Sequence, residues 1–153
     1  MKWLELRVPP PVVMAMFALF MWLAAIPFPA LDLDLPARSE VAAVFLAVAL
    51  GIGALALLGF RRAKTTINPL KPEASTALVT GGIYRWTRNP MYLGMLVILV
   101  GWAYIVSSLA ALVMLPLFVS TLNRFQIEPE ERALQARFGA EFEQYRRKVR
   151  RWL

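Results

Sequence analysis

Between Arg88 and Arg124 the chain runs for 35 residues without a charge. No other feature restricts the fold as much. A helix that crosses the hydrocarbon of a bilayer needs about 20 apolar residues. The run is too long for one such helix and slightly tight for two. Ser107 and Ser108, near its middle, supply a turn. A helical hairpin is therefore predicted, 90–106 and 109–126, with Pro116 as a site for a kink.

Two further uncharged stretches come earlier, at 8–31 and 41–60. They predict helices over 11–26 and 41–60. Pro27 and Pro29 follow the first, with no clear small-residue cleavage site, so it reads as a span and not as a cleavable signal. Composition agrees, with 59% of residues hydrophobic against about 45–50% in soluble domains. The expected fold is all-α: an integral membrane protein with four transmembrane helices and a C-terminal amphipathic interfacial helix. One domain covers 1–153.

Lys and Arg in the short loops set the orientation. The 28–40 segment has Asp32, Asp34 and Glu40 against Arg38 alone. The 61–89 loop has Arg61, Arg62, Lys64, Lys71, Arg85 and Arg88 against Glu73. Lys2 and Arg7 precede the first span, and the tail from Arg124 holds eight basic residues. With four spans, all the basic segments fall on one side. Both termini are then cytoplasmic, and the best-fitting membrane is a bacterial inner membrane.

The tail, 127–153, is helical by pattern. Leu134, Phe138, Phe142, Tyr145, Val149 and Trp152 recur at steps of three and four, which marks one apolar face. Arg146, Arg147, Lys148, Arg150 and Arg151 lie on the others. Such a helix suits the membrane interface or a fold back onto the bundle. Gly139 is a candidate break. Trp86, Trp102 and Tyr104 read as interfacial belt residues.

What is missing also limits the chemistry. There is no Cys, hence no disulfide framework, thiolate nucleophile or Cys metal site. There is no His, which removes the commonest general base and metal ligand. The net charge of +7 borders apolar spans, so it suits anionic lipid and not nucleic acid.

Polar groups at the edge of a membrane invite a functional reading. The stretch GGIYRWTRNPMYLG, 81–94, gathers Tyr84, Arg85, Arg88, Asn89, Pro90 and Tyr92. Asn89 reads as an N-cap with Pro90 at the first helical position. Free N–H groups there, with Arg88, can hold an anionic group. Equally, this is a capped helix whose arginines reach lipid phosphates. A second cluster, IEPEERAL at 127–134, has Glu131 near the centre of the apolar face defined by Leu134, Phe138 and Val149. Glu130 lies nearer its edge. A carboxylate facing protein needs a partner, and Arg88, Arg124 or a cationic ligand can serve. Acids in a first helical turn, at the positive end of the helix dipole, are an equal account. Arg124, at the end of the fourth span, either anchors the helix or binds a carboxylate.

Taken in order, GGIYRWTRNPMYLG and IEPEERALQARFGAEFEQYRRKVRRW resemble the membrane methyltransferases of the isoprenylcysteine carboxyl methyltransferase and phospholipid methyltransferase families. Their pattern is G-x-Y-R-x-x-R-[HN]-P-x-Y-x-G, a membrane hairpin, then I-x-x-E-E-x-x-L and F-G-x-E-[YF]-x-x-Y. T-x-N-P and LVTGG, within 66–82, resemble the usual approach. The resemblance covers about 65–150.

This resemblance implies S-adenosylmethionine as cofactor and methyl transfer to a lipid or lipophilic small-molecule acceptor. It implies a cofactor pocket built from Tyr84, Arg88, Asn89, Pro90, Tyr92 and Gly94, with Glu130 and Glu131 from the second block. Arg88 or Arg124 would hold the cofactor carboxylate, and Arg88 and Glu131 are the expected catalytic residues. The isoprenylcysteine enzymes typically have His where this chain has Asn89, which points away from a prenylcysteine acceptor. Two rivals remain: an NADPH-dependent reductase related to the sterol reductases, and a non-catalytic four-helix membrane protein.

Overall fold

The computed structural model describes residues 5–65 and 76–153. The expectations for Lys2, Lys71, Glu73 and the T-x-N-P segment lie outside the described residues. Seven α-helices form the described chain: α1 (Pro10–Ala25), α2 (Arg38–Ala63), α3 (Pro90–Val106), α4 (Leu109–Leu112), α5 (Met114–Leu122), α6 (Glu128–Phe138) and α7 (Ala140–Lys148).

Local chemistry sets the ends of these helices. Pro residues occupy the first turn of α1 and of α3, where a missing N–H costs nothing. α2 carries Glu40 in its first turn and Arg61 and Arg62 in its last, matching the helix dipole. α3 stops at Ser107, which adopts a left-handed φ of +52°, and the chain reverses there. Between α4 and α5 the helix is interrupted at Val113. Pro116 explains this, since its ring crowds the carbonyl four residues back, on Leu112.

Two features depart from expectation. The fourth span does not end as regular α-helix, because Asn123–Ile127 forms a π turn. The tail breaks in two at the candidate position, but its last residue on the expected face leaves the helix. Gly139, at φ +51°, ends α6 before α7 begins. Val149 is extended, beyond α7, so it does not share a face with Leu134.

Two stretches are long and apolar enough to cross a membrane: α2, with 26 residues, and the 30-residue rod Leu109–Phe138 that joins α4, α5, the π turn and α6. α1 and α3, with 16 and 17 residues, are apolar but shorter. α2 turns Val44, Val48, Leu50 and Leu55 outward, all roughly half exposed or more. So many exposed apolar side chains on one helix suit lipid and not water.

One core joins α1, α3 and α5 through Met21, Leu99, Phe118 and Leu122. Phe17 meets Phe118 edge to face at 5.4 Å. Trp102 is not a free belt residue: its indole N–H donates to the Ala18 carbonyl of α1 at 2.8 Å. α2 and α3 approach closely because Gly94 and Gly101 face α2. A Cβ at Gly101 would lie 2.8 Å from Phe45 Cβ, closer than real carbons sit. Gly101→Ala is therefore expected to destabilise the fold by roughly 1–3 kcal/mol. Thermal unfolding in detergent checks this, and an unchanged midpoint would refute the close α2–α3 packing.

A second core sets up the site. Ala56, Tyr84, Phe142, Tyr145 and Val149 pack together. They tie the end of α2, the loop before α3 and the tail into one cap at one end of the bundle.

Candidate functional site

The two sequence blocks meet in this cap. Arg88 extends from the loop before α3 and donates through one terminal nitrogen to Glu131 of α6 at 2.7 Å. Its other terminal nitrogen donates to the carbonyls of Arg146 at 3.1 Å and Val149 at 2.5 Å. One turn into α3, the Tyr92 hydroxyl donates to Glu130 at 3.0 Å. Residues 43 positions apart thus join in one cluster.

The tail is stitched onto the same block. Asn89 Nδ2 and Thr87 Oγ1 both donate to the Arg151 carbonyl, at 2.8 and 3.2 Å. The Arg88 N–H donates to the Arg150 carbonyl at 3.0 Å. The Tyr145 hydroxyl donates to the Tyr84 carbonyl at 2.7 Å. Arg151 grips Glu131 with two nitrogens, at 2.7 and 3.3 Å. Asn89 precedes α3 as expected, but its side-chain oxygen makes no capping bond; its Nδ2 donates to the tail instead.

The two neighbouring glutamates differ in environment. Burial would raise the Glu131 pKa, but hydrogen bonds and charge from Arg151 and Arg88 outweigh it, and the net shift is downward. Glu130 makes no salt bridge among the described residues. Burial pushes it up to about 7; the Tyr92 hydroxyl opposes this and the charge on Glu131 adds to it. Glu130, nearer the edge by helical-wheel geometry, is thus the more strongly desolvated of the two. The break at Gly139 and the extended Val149 account for the difference, since a constant 100° step does not carry past Gly139.

Arg88, Asn89, Glu130 and Glu131 line a small cavity of about 60 Å³, walled by Phe60 and Phe142 among others. The Nε of Arg88 is buried and has no hydrogen-bond partner among the described residues. An orphaned guanidinium N–H needs an acceptor. On the other side of Glu131 lies an open groove of about 540 Å³.

The remaining expected residues sit around this centre. Tyr84 is buried behind the cavity lining, its ring packed on Phe60 at 5.6 Å and close over Gly59. Pro90 is buried at the start of α3. Gly94 faces α2, where a Cβ would lie 3.3 Å from the Ala49 carbonyl; it serves helix packing. The structure does not bring Arg124 into the cluster. It is half exposed and pairs with Glu5 at 3.4 Å and Glu128 at 3.5 Å, because the π turn aims it at the N-terminal segment. Arg151 and Thr87 were not foreseen. Phe142 and Tyr145 carried a signal, as motif positions, but without an assigned role.

The sequence profile of the family described as phospholipid methyltransferase matches residues 40–141. The chain belongs to that family. The match spans the first block, the hairpin and the second block as far as Glu141. Membership makes this phospholipid methyltransferase relative a membrane-associated methyltransferase in the coarse sense. An uncharacterized protein of Haemophilus influenzae is 41% identical over 63 residues, its whole length and 41% of this chain. No solved structure matches.

Proposed function

We propose that the protein transfers a methyl group from S-adenosylmethionine to a lipid or lipophilic small-molecule acceptor at the cytoplasmic face of a bacterial inner membrane. In this reading α1, α2, α3 and the α4–α5 rod all span the bilayer. Both termini and the α6–α7 cap are cytoplasmic. At about 1.5 Å per residue, α1 and α3 reach roughly 24–26 Å, which a modest local thinning of the bilayer accommodates.

One observation carries the reading. In a chain of the phospholipid methyltransferase family, Arg88–Glu131 and Tyr92–Glu130 draw the two blocks together where apolar helices meet a polar cap. A soluble cofactor reaches this cap from water, and a lipid acceptor reaches it from the bilayer. The donor set fits the cofactor chemically: a buried Arg88 N–H lacks an acceptor, and two carboxylates suit hydroxyl or ammonium groups. The enclosed cavity holds only a few water molecules, so the adjoining groove must contribute space.

The cofactor, when bound, supplies an electrophilic methyl on sulfur. The residues of this chain position the reactants and keep water out. Arg88 offers its free Nε and fixes Glu131, Asn89 holds the tail in place, and Tyr92 orients Glu130. Calorimetric titration of the detergent-purified protein with S-adenosylhomocysteine, and in parallel with NADPH, tests the proposal. Micromolar binding of the first alone is expected. Binding of NADPH alone would overturn it in favour of a reductase.

A further inference from the structure

The groove beside Glu131 carries both signs of charge in weakly engaged form. Arg146 is half exposed, and its salt-bridge partner, Glu143 at 3.0 Å, lies outside the groove lining. Exposed i, i+3 pairs of this kind contribute little, so the guanidinium is open to another anion. Glu128, also in the lining, is held only at long range, 3.5 Å from Arg124 and 3.9 Å from Arg151. It is open to a cation. Arg151, between them, is engaged on Glu131 and keeps that carboxylate in place.

A cation site and an anion site in one groove match a zwitterion. Ala136 is the one apolar residue in its lining and the others are polar or charged, so the groove suits a polar ligand. Its occupant therefore comes from water. Glu131 borders both the groove and the cavity that Arg88 also lines. A ligand seated in the groove abuts that cavity.

We infer that the groove is the subsite for the amino-acid end of the sulfonium cofactor, with Arg146 taking its carboxylate and Glu128 its ammonium. The inference rests on the methyl-transfer reading above. It assigns the carboxylate to Arg146, a residue neither sequence block singled out, and leaves Arg88 to hold the walls of the site.

Comparison of two ligands tests this. S-adenosylhomocysteine carries the amino-acid end, and 5′-methylthioadenosine is the same thioether nucleoside without it. Wild-type protein should bind the first more tightly. Arg146→Ala and Glu128→Gln should each raise the Kd for S-adenosylhomocysteine about tenfold. Neither should move the Kd for 5′-methylthioadenosine beyond about twofold. Arg146→Lys should recover part of the loss, since it keeps the charge but not the fork. Equal weakening of both ligands, or no weakening of either, overturns the subsite while leaving the methyltransferase reading intact. Wild-type protein that binds neither ligand overturns both.

Discussion

Arg88→Ala will both loosen the cap and abolish binding of S-adenosylhomocysteine. The guanidinium closes three contacts at once, to Glu131 and to the carbonyls of Arg146 and Val149. Its side chain is only 10% exposed, so water cannot replace them freely. Removing one partner of a buried charge pair costs about 3–5 kcal/mol. Arg151 still serves Glu131 here, which places the expected loss near the lower figure. Thermal unfolding in detergent reads that part. Binding should fail for S-adenosylhomocysteine and for 5′-methylthioadenosine alike, because the wall itself is lost. That common failure separates Arg88 from Arg146, whose loss should be selective. Arg88→Lys is the control for folding. It keeps the charge near Glu131 but cannot reach three acceptors from one planar fork, so it should fold and bind weakly. An Arg88→Ala protein with wild-type midpoint and affinity would remove Arg88 from the site.

The sequence exposed some of this arrangement because the signals were local. The turn at Ser107–Ser108 and the break at Gly139 follow from what those residues do to their own backbone. The pairing of Arg88 with Glu131 was among the options because a carboxylate facing protein must find a cation, and few were near. The stitching of the tail was hidden. Asn89, Thr87 and Arg88 all bond to backbone carbonyls of the tail, and a carbonyl has no letter in the sequence. The place of Arg124, outside the cluster, was hidden for a related reason. It lies inside a π turn, which adds a residue to one turn and rotates everything beyond it. No residue in Asn123–Ile127 announces that turn. The edge placement expected of Glu130 has another origin: it was reckoned against Val149, which is extended beyond the break at Gly139.

Glu130 gives the second large effect, and it appears as a pH dependence. Its ordinary value of 4.5 is raised to about 7 in the folded protein. Between those values the folded state holds a proton that the unfolded state has released. Stability from this group is therefore full below about pH 4.5 and is lost as the pH rises through about 7. The span corresponds to roughly 3 kcal/mol at 1.36 kcal/mol per pH unit. Glu131 acts in the opposite sense. Its value is lowered, so its contribution is present above the ordinary carboxylate range and fades as the pH falls into acid. The wild type should thus lose stability at both ends. Glu130→Gln keeps an acceptor for the Tyr92 hydroxyl and removes the charge that burial penalises. The variant should lose the decline between about pH 5 and 8 and keep the acid limb set by Glu131. At pH 8 it should be more stable than the wild type. Melting midpoints of both proteins across pH 4–9 decide the matter. Parallel curves through the neutral range would mean that Glu130 is ionised at little cost and that its burial does not govern its charge. If the curves separate as expected, the acid carries its proton close to neutral pH. It then sits as a proton-exchanging group at the wall of the cavity, next to a carboxylate that two arginines keep charged.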